Sequence, residues 1–417
     1  MKRAWPLTLR GTGALVLALA CFALASELGI VELLYFGVLL TAVLVVSVAV
    51  LYGTSRADGV TRSLHPDVSS VGRESAVSAH VTLRTSLPTS SAVWRDTVPS
   101  GLRGEATGAF PALGSGLRGA GSGGTRTAEL TYRLTGARRG VHSIGPMTVS
   151  SSDPFGLARR TLVFSARTAV TVAPAVIDLP PLADFSGESG GMLQTTTEQL
   201  GQGADNLVAR PYVPGDSMRR IHWRATAHRD ELMVRQEEQE SRPEATVVLD
   251  RSALRWAAEA KTHPGVDPGF EAAVSLCVSA VARLVYDGYS VDVIDADGAV
   301  LAEQLDGADA ADVEGLVTQF ATLTTRRDDQ LPTLRRVFAG VMSGPVVLIV
   351  GRFDAADAES VAPVAAHSAL ALLFAASPIG DALRHASESG WRAGSIDPDD
   401  LGGAWAAAVG RGVSRVS

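Results

Sequence analysis

The topology of the second half of the chain turns on "SVDVIDADGAVLAEQL", Ser290 to Leu305. Asp297-Gly298 stands there between two strand-like runs. A two-residue type I′ hairpin needs positive φ at both central positions, so this dipeptide predicts a tight turn and one antiparallel strand. Outward from it, apolar runs alternate with helical periods. Thr246 to Leu249 reads as a strand, about Gly269 to Asp287 as a helix and Ser290 to Ile294 as a strand. Val346 to Val350, a helix through Ala355 to Ala362, and Leu370 to Ala375 follow. A helix around Asp381 to Glu388, a strand from Trp391 to Ile396 and a helix near Leu401 to Val409 close the series. Runs as apolar as Val346 to Val350 suit strands covered on both faces of a parallel sheet. Residues 241–417 are therefore expected to form a doubly wound α/β domain with one antiparallel edge strand. Cys277 shares a helix face with Val274, Val278, Val281, Leu284 and Val285, which makes it a buried, inert thiol.

That arrangement resembles the von Willebrand factor A fold. The fold often carries a divalent-metal site whose first strand ends in Asp-x-Ser-x-Ser, with a Thr and an Asp added by later loops. Here Asp250-Arg251-Ser252-Ala253-Leu254 keeps the Asp and the first Ser, at the strand end where open α/β sheets bind ligands. Leu254 replaces the second Ser. Gly351-Arg352 follows the central strand and Asp354 lies further on, which aims a cation at the site. Hard cations need several oxygens at short range, so Asp250 and Ser252 read as a degraded metal-site position, with Asp250 capping a helix or paired with an arginine. No metal or other cofactor is expected.

Upstream, Leu179 to Asn206 is rich in Pro, Gly, Ser and Thr without sustained periodicity and reads as a linker, residues 179–206. Residues 207–240 then contain "RPYVPGDSMRRIHWRATAHRDELMVRQEEQE", Arg210 to Glu240. Pro214-Gly215 suits the centre of a type II turn. Asp216 or Ser217 is placed to cap a following helix, and Leu232 to Gln236 is strand-like. Arg210, Arg219, Arg220 and Arg224, with His222, fan out among acids, and Trp223 offers a ring for stacking or core packing. Guanidinium and carboxylate groups so interleaved form bidentate pairs, so the bland reading is an internal ion network. The functional reading is a docking surface made of Arg210, Tyr212, Asp216, Arg219, Arg220, His222, Trp223 and Arg224 for an acidic segment or a phosphate.

The order Arg210-x-Tyr212-x-Pro214-Gly215-Asp216-x-x-Arg219-x-Ile221-His222-Trp223-Arg224-Ala225-Thr226-Ala227, continuing to Leu232-x-Val234-Arg235, resembles the signature of the bacterial family called domain of unknown function 58. Arg138-Arg139-Gly140 and Asp153-Pro154-Phe155-Gly156-Leu157 agree with the β-rich region of that family. The resemblance implies a membrane-anchored scaffold or adaptor that works with a MoxR-type AAA+ ATPase and a transglutaminase-like membrane protein in assembling or maturing other complexes. Two rival functions stay open: a divalent-metal-dependent protein-binding module built on Asp250 and Ser252, and a hydrolase using His222 with Asp216 or Asp230. A hydrolase needs a nucleophile or metal beside a base, and the motif offers only Ser217 and Thr226 hydroxyls among paired acids. No catalytic residue is assigned.

The N-terminus carries two apolar runs, Gly11 to Ser26 and Leu33 to Tyr52, near the roughly 20 residues that span a hydrocarbon core. Residues 1–56 are thus expected to be a transmembrane hairpin. Lys2, Arg3 and Arg10 before it and Arg56 and Arg62 after it put both termini in the cytoplasm of a plasma (inner) membrane, with Glu27 and Glu32 at the outer turn. The rival is a signal peptide cleaved after Ala23-Leu24-Ala25. Residues 57–178 have the grammar of an all-β sandwich, with runs at Ser75 to Leu83, Thr127 to Leu134, Val141 to Val149 and Ala169 to Val172. In the first, Val77, Ala79, Val81 and Leu83 face inward, which turns His80 to solvent. Gly101 to Gly124 reads as a loop too poor in apolar surface to order itself. In Asp153 to Leu157, Pro154 and Gly156 set a turn, and Phe155 and Leu157 are expected to anchor it on a core.

The bulk numbers agree. A chain of 417 residues with net charge -7 argues against nucleic-acid binding, which leaves a basic footprint over a whole face. Two cysteines, Cys21 and Cys277, exclude a disulfide framework.

Overall fold

The structure is a computed structural model that describes residues 5–85, 92–112, 125–182, 207–212, 221, 223–229, 231–237, 243–305, 310–326, 328–340 and 343–410. It divides into two compact units, residues 1–175 with 318–323, and residues 176–317 with 324–417.

The first unit opens with two apolar helices, α1 (Leu9–Leu28) and α2 (Val31–Thr54). The Thr8 hydroxyl caps α1 by accepting from the Gly11 amide, and Gly29, at φ 67°, ends it in the left-handed region so that the chain can reverse. Length and composition allow both helices to cross a membrane, and most of their large side chains are exposed, so the pair fits a membrane anchor.

Among the described residues, eleven strands follow: β1 (Ser55–His65), β2 (Ser69–Ser70), β3 (Glu74–Thr85), β4 (Ala92–Asp96), β5 (Leu102–Arg103), β6 (Thr107–Phe110), β7 (Thr125–Gly136), β8 (Gly140–Ile144), β9 (Met147–Ser152), β10 (Arg159–Phe164) and β11 (Thr168–Ala173). One four-stranded sheet runs β1-β3-β7-β5, another β10-β9-β4-β6, and a three-stranded sheet runs β2-β11-β8. Their inward faces share one core that includes Val77, Val81, Trp94, Tyr132, Met147 and Val149. The alternation in β3 is as expected, with His80 exposed.

Three expectations need correction. The loop expected over Gly101 to Gly124 contains β5 and β6, because Leu102 and Phe110 find places in the core; residues 113–124 lie outside the described residues. The run Val141 to Val149 is two strands, β8 and β9, in different sheets. Arg62, read as a cation flanking the membrane, is buried in β1. Its guanidinium forms a two-bond pair with Asp96 at 2.7 and 2.9 Å, and Tyr132 donates its hydroxyl to the same carboxylate at 2.8 Å. Burial first, then the Asp96 charge, pushes the Tyr132 phenol above its ordinary value. In the Arg138-Arg139-Gly140 run, Arg139 is fully buried and donates to the carbonyl of Phe320 in the 318–323 segment of the same unit.

The second unit holds a short antiparallel pair, β12 (Leu207–Pro211) and β13 (Met233–Glu237), with α3 (Trp223–Arg229) between them in sequence. Its core is a six-stranded sheet. The elements are β14 (Glu244–Leu249), α4 (Pro268–Tyr286), β15 (Ser290–Ile294), β16 (Val300–Leu305), α5 (Ala310–Gln319), α6 (Leu334–Val337), β17 (Ser343–Phe353), α7 (Ala355–Ala366), β18 (Ser368–Pro378), α8 (Ala382–Glu388), β19 (Arg392–Ser395) and α9 (Leu401–Gly410). The order is β16-β15-β14-β17-β18-β19, parallel throughout except for β16.

This is the expected doubly wound sheet, and Gly298, at φ 82°, makes the turn that reverses β16. Among the helices long and apolar enough to cross a membrane, α4 is largely buried, with Phe270, Leu276 and Cys277 inside the core. Burial pushes the Cys277 thiol up to about 12, so it is inert. The stretch 176–182, where the linker was expected to begin at Leu179, is packed: Leu179 and Leu182 are buried, the Ile177 amide donates to the Ser279 hydroxyl, and Trp405 donates its indole N–H to the Pro180 carbonyl. Residues 183–206 lie outside the described residues.

Candidate functional site

Parallel sheets present the carboxyl ends of their strands as a ligand edge, and the second unit gathers its acids there. Asp250 follows β14, with 1% of its surface exposed. Its Oδ1 accepts the Ser252 amide at 2.9 Å, the short local turn an Asx residue makes. Its Oδ2 lies 3.4 Å from Arg255 Nε. Arg255 is the hub. Its guanidinium forms parallel pairs with Asp329 at 3.1 and 3.0 Å and with Asp357 at 2.7 and 2.8 Å, and it donates to the Arg352 carbonyl at 2.9 Å.

The sequence pointed to Arg352 for the cation at this edge. The structure gives it to Arg255 instead, because the turn after β14 folds back and the Arg352 amide donates to the Arg255 carbonyl. The Arg352 side chain is exposed. Asp357 serves twice, also forming a reciprocal capping box with Asp354 at the start of α7.

Electrostatics follow this geometry. Burial pushes the Asp250 carboxyl up to about 7, against the pull of the Ser252 amide and the Arg255 charge. Burial also disfavours the charge on Arg255, but the hydrogen bonds it donates to Asp357 and Asp329 outweigh it and hold the guanidinium above its ordinary value. Burial would likewise raise Asp357, yet Arg255 draws it below the usual carboxylate range.

A second network stands alongside. Arg326 donates to Asp295 at 3.3 Å and to Asp297 at 2.8 Å, and Arg251 donates to the Thr324 carbonyl at 2.8 Å. Ser252 pairs backbone to backbone with Arg326. The Asp250 and Ser252 position is therefore filled by a guanidinium and by chain from the 324–326 segment. Among the described residues, no three His, Cys, Asp or Glu side chains converge as a metal site would need.

The signature segment forms the other candidate. β12 and β13 pair with Arg210 opposite Val234, and the Tyr212 amide extends the ladder to the Leu232 carbonyl at 2.7 Å. Thr226 on α3 accepts the Met233 amide at 3.0 Å, which ties the helix to β13, and Ile221 and Met233 are buried. The expected helix start at Asp216 or Ser217 lies outside the described residues; Ile221, expected within that helix, is in a β-bridge, and the helix that is seen runs only from Trp223 to Arg229. Asp216, Arg219, Arg220 and His222 lie outside the described residues, as do the side chains of Arg210 and Arg224. Tyr212 is half-buried. Trp223 is not in a core: 69% of its surface is exposed, with Leu232 exposed as well. Sequence reasoning missed Arg255, Asp329 and Asp357. The one signal was an Arg five residues past a strand-end Asp, which reads equally well as an ordinary surface charge.

Residues 208–280 match the family described as "Protein of unknown function DUF58", so the family resemblance holds over the signature and into the sheet. No curated protein sequence matches the chain. Among solved structures, the chain is similar to a von Willebrand factor type A protein from Catenulispora acidiphila, at 11% identity, covering 42% of this chain and 43% of that one with a TM-score of 0.28. It is also similar to the CARDB domain of a Pyrococcus furiosus protein in complex with di-metal ions, at 18% identity, covering 28% of this chain and 94% of that one with a TM-score of 0.19. The strand order of the six-stranded sheet and its single antiparallel strand, β16, fit a von Willebrand factor A-like fold.

Proposed function

We propose that this protein is a non-enzymatic scaffold, anchored in the plasma membrane through α1 and α2 with both termini cytoplasmic. In this reading the signature segment holds a partner of the MoxR-type AAA+ ATPase class, in company with a transglutaminase-like membrane protein. The observation that carries it is Trp223. A tryptophan inside the matched segment is presented to solvent, and Leu232 is exposed as well, although Ile221 and Met233 of the same segment are buried. Exposed aromatic groups flanked by arginine are what protein interfaces use as anchors. The strand-end acids support the same reading, because Arg255 and Arg326 neutralise them internally.

The test is crosslinking in membranes followed by recovery of the ATPase, comparing the wild-type chain with Trp223→Ala and with Arg219→Glu combined with Arg220→Glu. At least a tenfold loss of recovered partner is expected for each, corresponding to about 1.4 kcal/mol or more. Unchanged recovery from both variants overturns the docking role of the segment.

A further inference from the structure

The turn Asp153 to Leu157 does something its sequence did not announce. Both Asp153 oxygens are engaged within the turn, Oδ2 by the Phe155 amide at 3.0 Å and Oδ1 by the Ala158 amide at 2.6 Å. The turn is seated on the start of α1. Thr8 donates its amide to the Leu157 carbonyl at 2.9 Å and its hydroxyl to the Gly156 carbonyl at 2.6 Å, and the Arg159 amide donates to the Pro6 carbonyl at 2.8 Å.

The contact reaches past the cap. A methyl group on Gly11 would stand 1.9 Å from the Leu157 carbonyl oxygen, so the turn lies along the first turn of the helix itself. The other helix is held from the same hairpin: Arg160 donates to the Leu51 carbonyl and lies over the Tyr52 ring, 5.0 Å from its centroid. The expectation that Phe155 anchors this turn on a core is wrong, because 66% of its surface is exposed. The rigid turn holds an apolar ring outward at the level where α1 begins.

Beside it stand Trp5, 57% exposed, and Tyr52, 45% exposed, with Arg10 and Arg159 exposed. The acids nearby do not oppose an anionic surface. Asp153 is buried in the turn, and Asp58 at the start of β1 is paired with Arg84 at 3.0 Å. Aromatic rings gather at membrane interfaces because their apolar bodies enter the acyl boundary, and arginines there meet lipid phosphates.

We infer that the Asp153–Leu157 turn is a second membrane contact, with Phe155 entering the headgroup boundary of the leaflet where α1 starts and α2 ends, and Arg10 and Arg159 against anionic phospholipid headgroups. This rests on the reading of α1 and α2 as a membrane anchor.

The full chain tests it after reconstitution into vesicles. With Cys21→Ala and Cys277→Ala as background, an environment-sensitive fluorophore is placed on Phe155→Cys and, separately, on Leu19→Cys in the middle of α1. At position 155 we expect a blue-shifted emission, quenching by lipids carrying a doxyl group near the head of the chain, and protection from iodide. That quenching should be stronger when phosphatidylglycerol is added to phosphatidylcholine, and equal quenching in both vesicles overturns the headgroup contact. Position 19 should be quenched by doxyl groups near the chain middle. Lipid quenching at 19, with an iodide-accessible probe at 155 or one shielded yet untouched by lipid quenchers, overturns the inference and leaves the anchor standing. No lipid quenching at 19 overturns the anchor reading itself.

Discussion

Arg255 and Asp357 meet through two parallel hydrogen bonds of 2.7 and 2.8 Å at the carboxyl edge of the second unit's sheet, and the same guanidinium holds Asp329 from its other side. Arg255 is the internal counter-cation of this edge. Removing one member of a buried ion network leaves its partners charged and unpaired. Arg255→Ala should therefore destabilise the second unit by about 3 kcal/mol, read as an earlier urea transition of the full chain in detergent. Arg255→Lys should recover only part of this, because an ammonium cannot make the paired contacts.

Asp250 makes stability depend on pH. Its carboxyl is raised to about 7 in the folded chain, so between the ordinary carboxylate range and about 7 the folded state holds a proton that the unfolded state has lost. Its contribution is complete at low pH and declines as pH rises through that window, by at most about 1.4 kcal/mol per unit. The difference in unfolding free energy between wild type and Asp250→Asn should move in the variant's favour across this window and level off above it. A flat difference between pH 4.5 and 7.5, on the order of the window named, counts against a raised Asp250.

The buried triad of Arg62, Asp96 and Tyr132 should respond differently to breaking and to replacement. Asp96→Ala leaves a buried guanidinium without its carboxylate and should cost about 3 to 5 kcal/mol in urea unfolding. The triple change Arg62→Met, Asp96→Leu and Tyr132→Phe should cost much less, because no charge is left behind.

Gly11 is required by space, not by dihedral angle. Gly11→Ala places a methyl group against the Leu157 carbonyl oxygen and should push the hairpin off α1. Trypsin in detergent should then cut faster at Arg159 and Arg160 than in the wild type, while unfolding costs roughly 1 to 3 kcal/mol less.

The second unit's sheet was legible where the physics is repetitive. Val346 to Val350 is apolar because both faces of β17 are covered, and Asp297-Gly298 announces its turn by backbone chemistry alone. β1 was not legible. Its inward positions are Val60, Arg62 and Leu64, so a charged residue sits where alternation calls for an apolar one, and only Asp96, thirty-four residues on, explains it. The same limit hid Arg255, whose partners Asp329 and Asp357 lie far along the chain, the second in the first turn of α7. It also misdirected Phe155. A Pro-Phe-Gly-Leu turn is equally consistent with a ring that points inward or outward, and only the seat of the turn on α1 separates the two.

That seat has a mechanical meaning. A pair of spanning helices joined to a globular body through a loose connection would act as a leash, letting the body swing and rise. Here one hairpin grips the entry of the first helix and the exit of the second, so the β-sandwich is mounted rather than leashed. On the anchor proposed above, any protein that approaches it meets a surface held at a set height above the lipid.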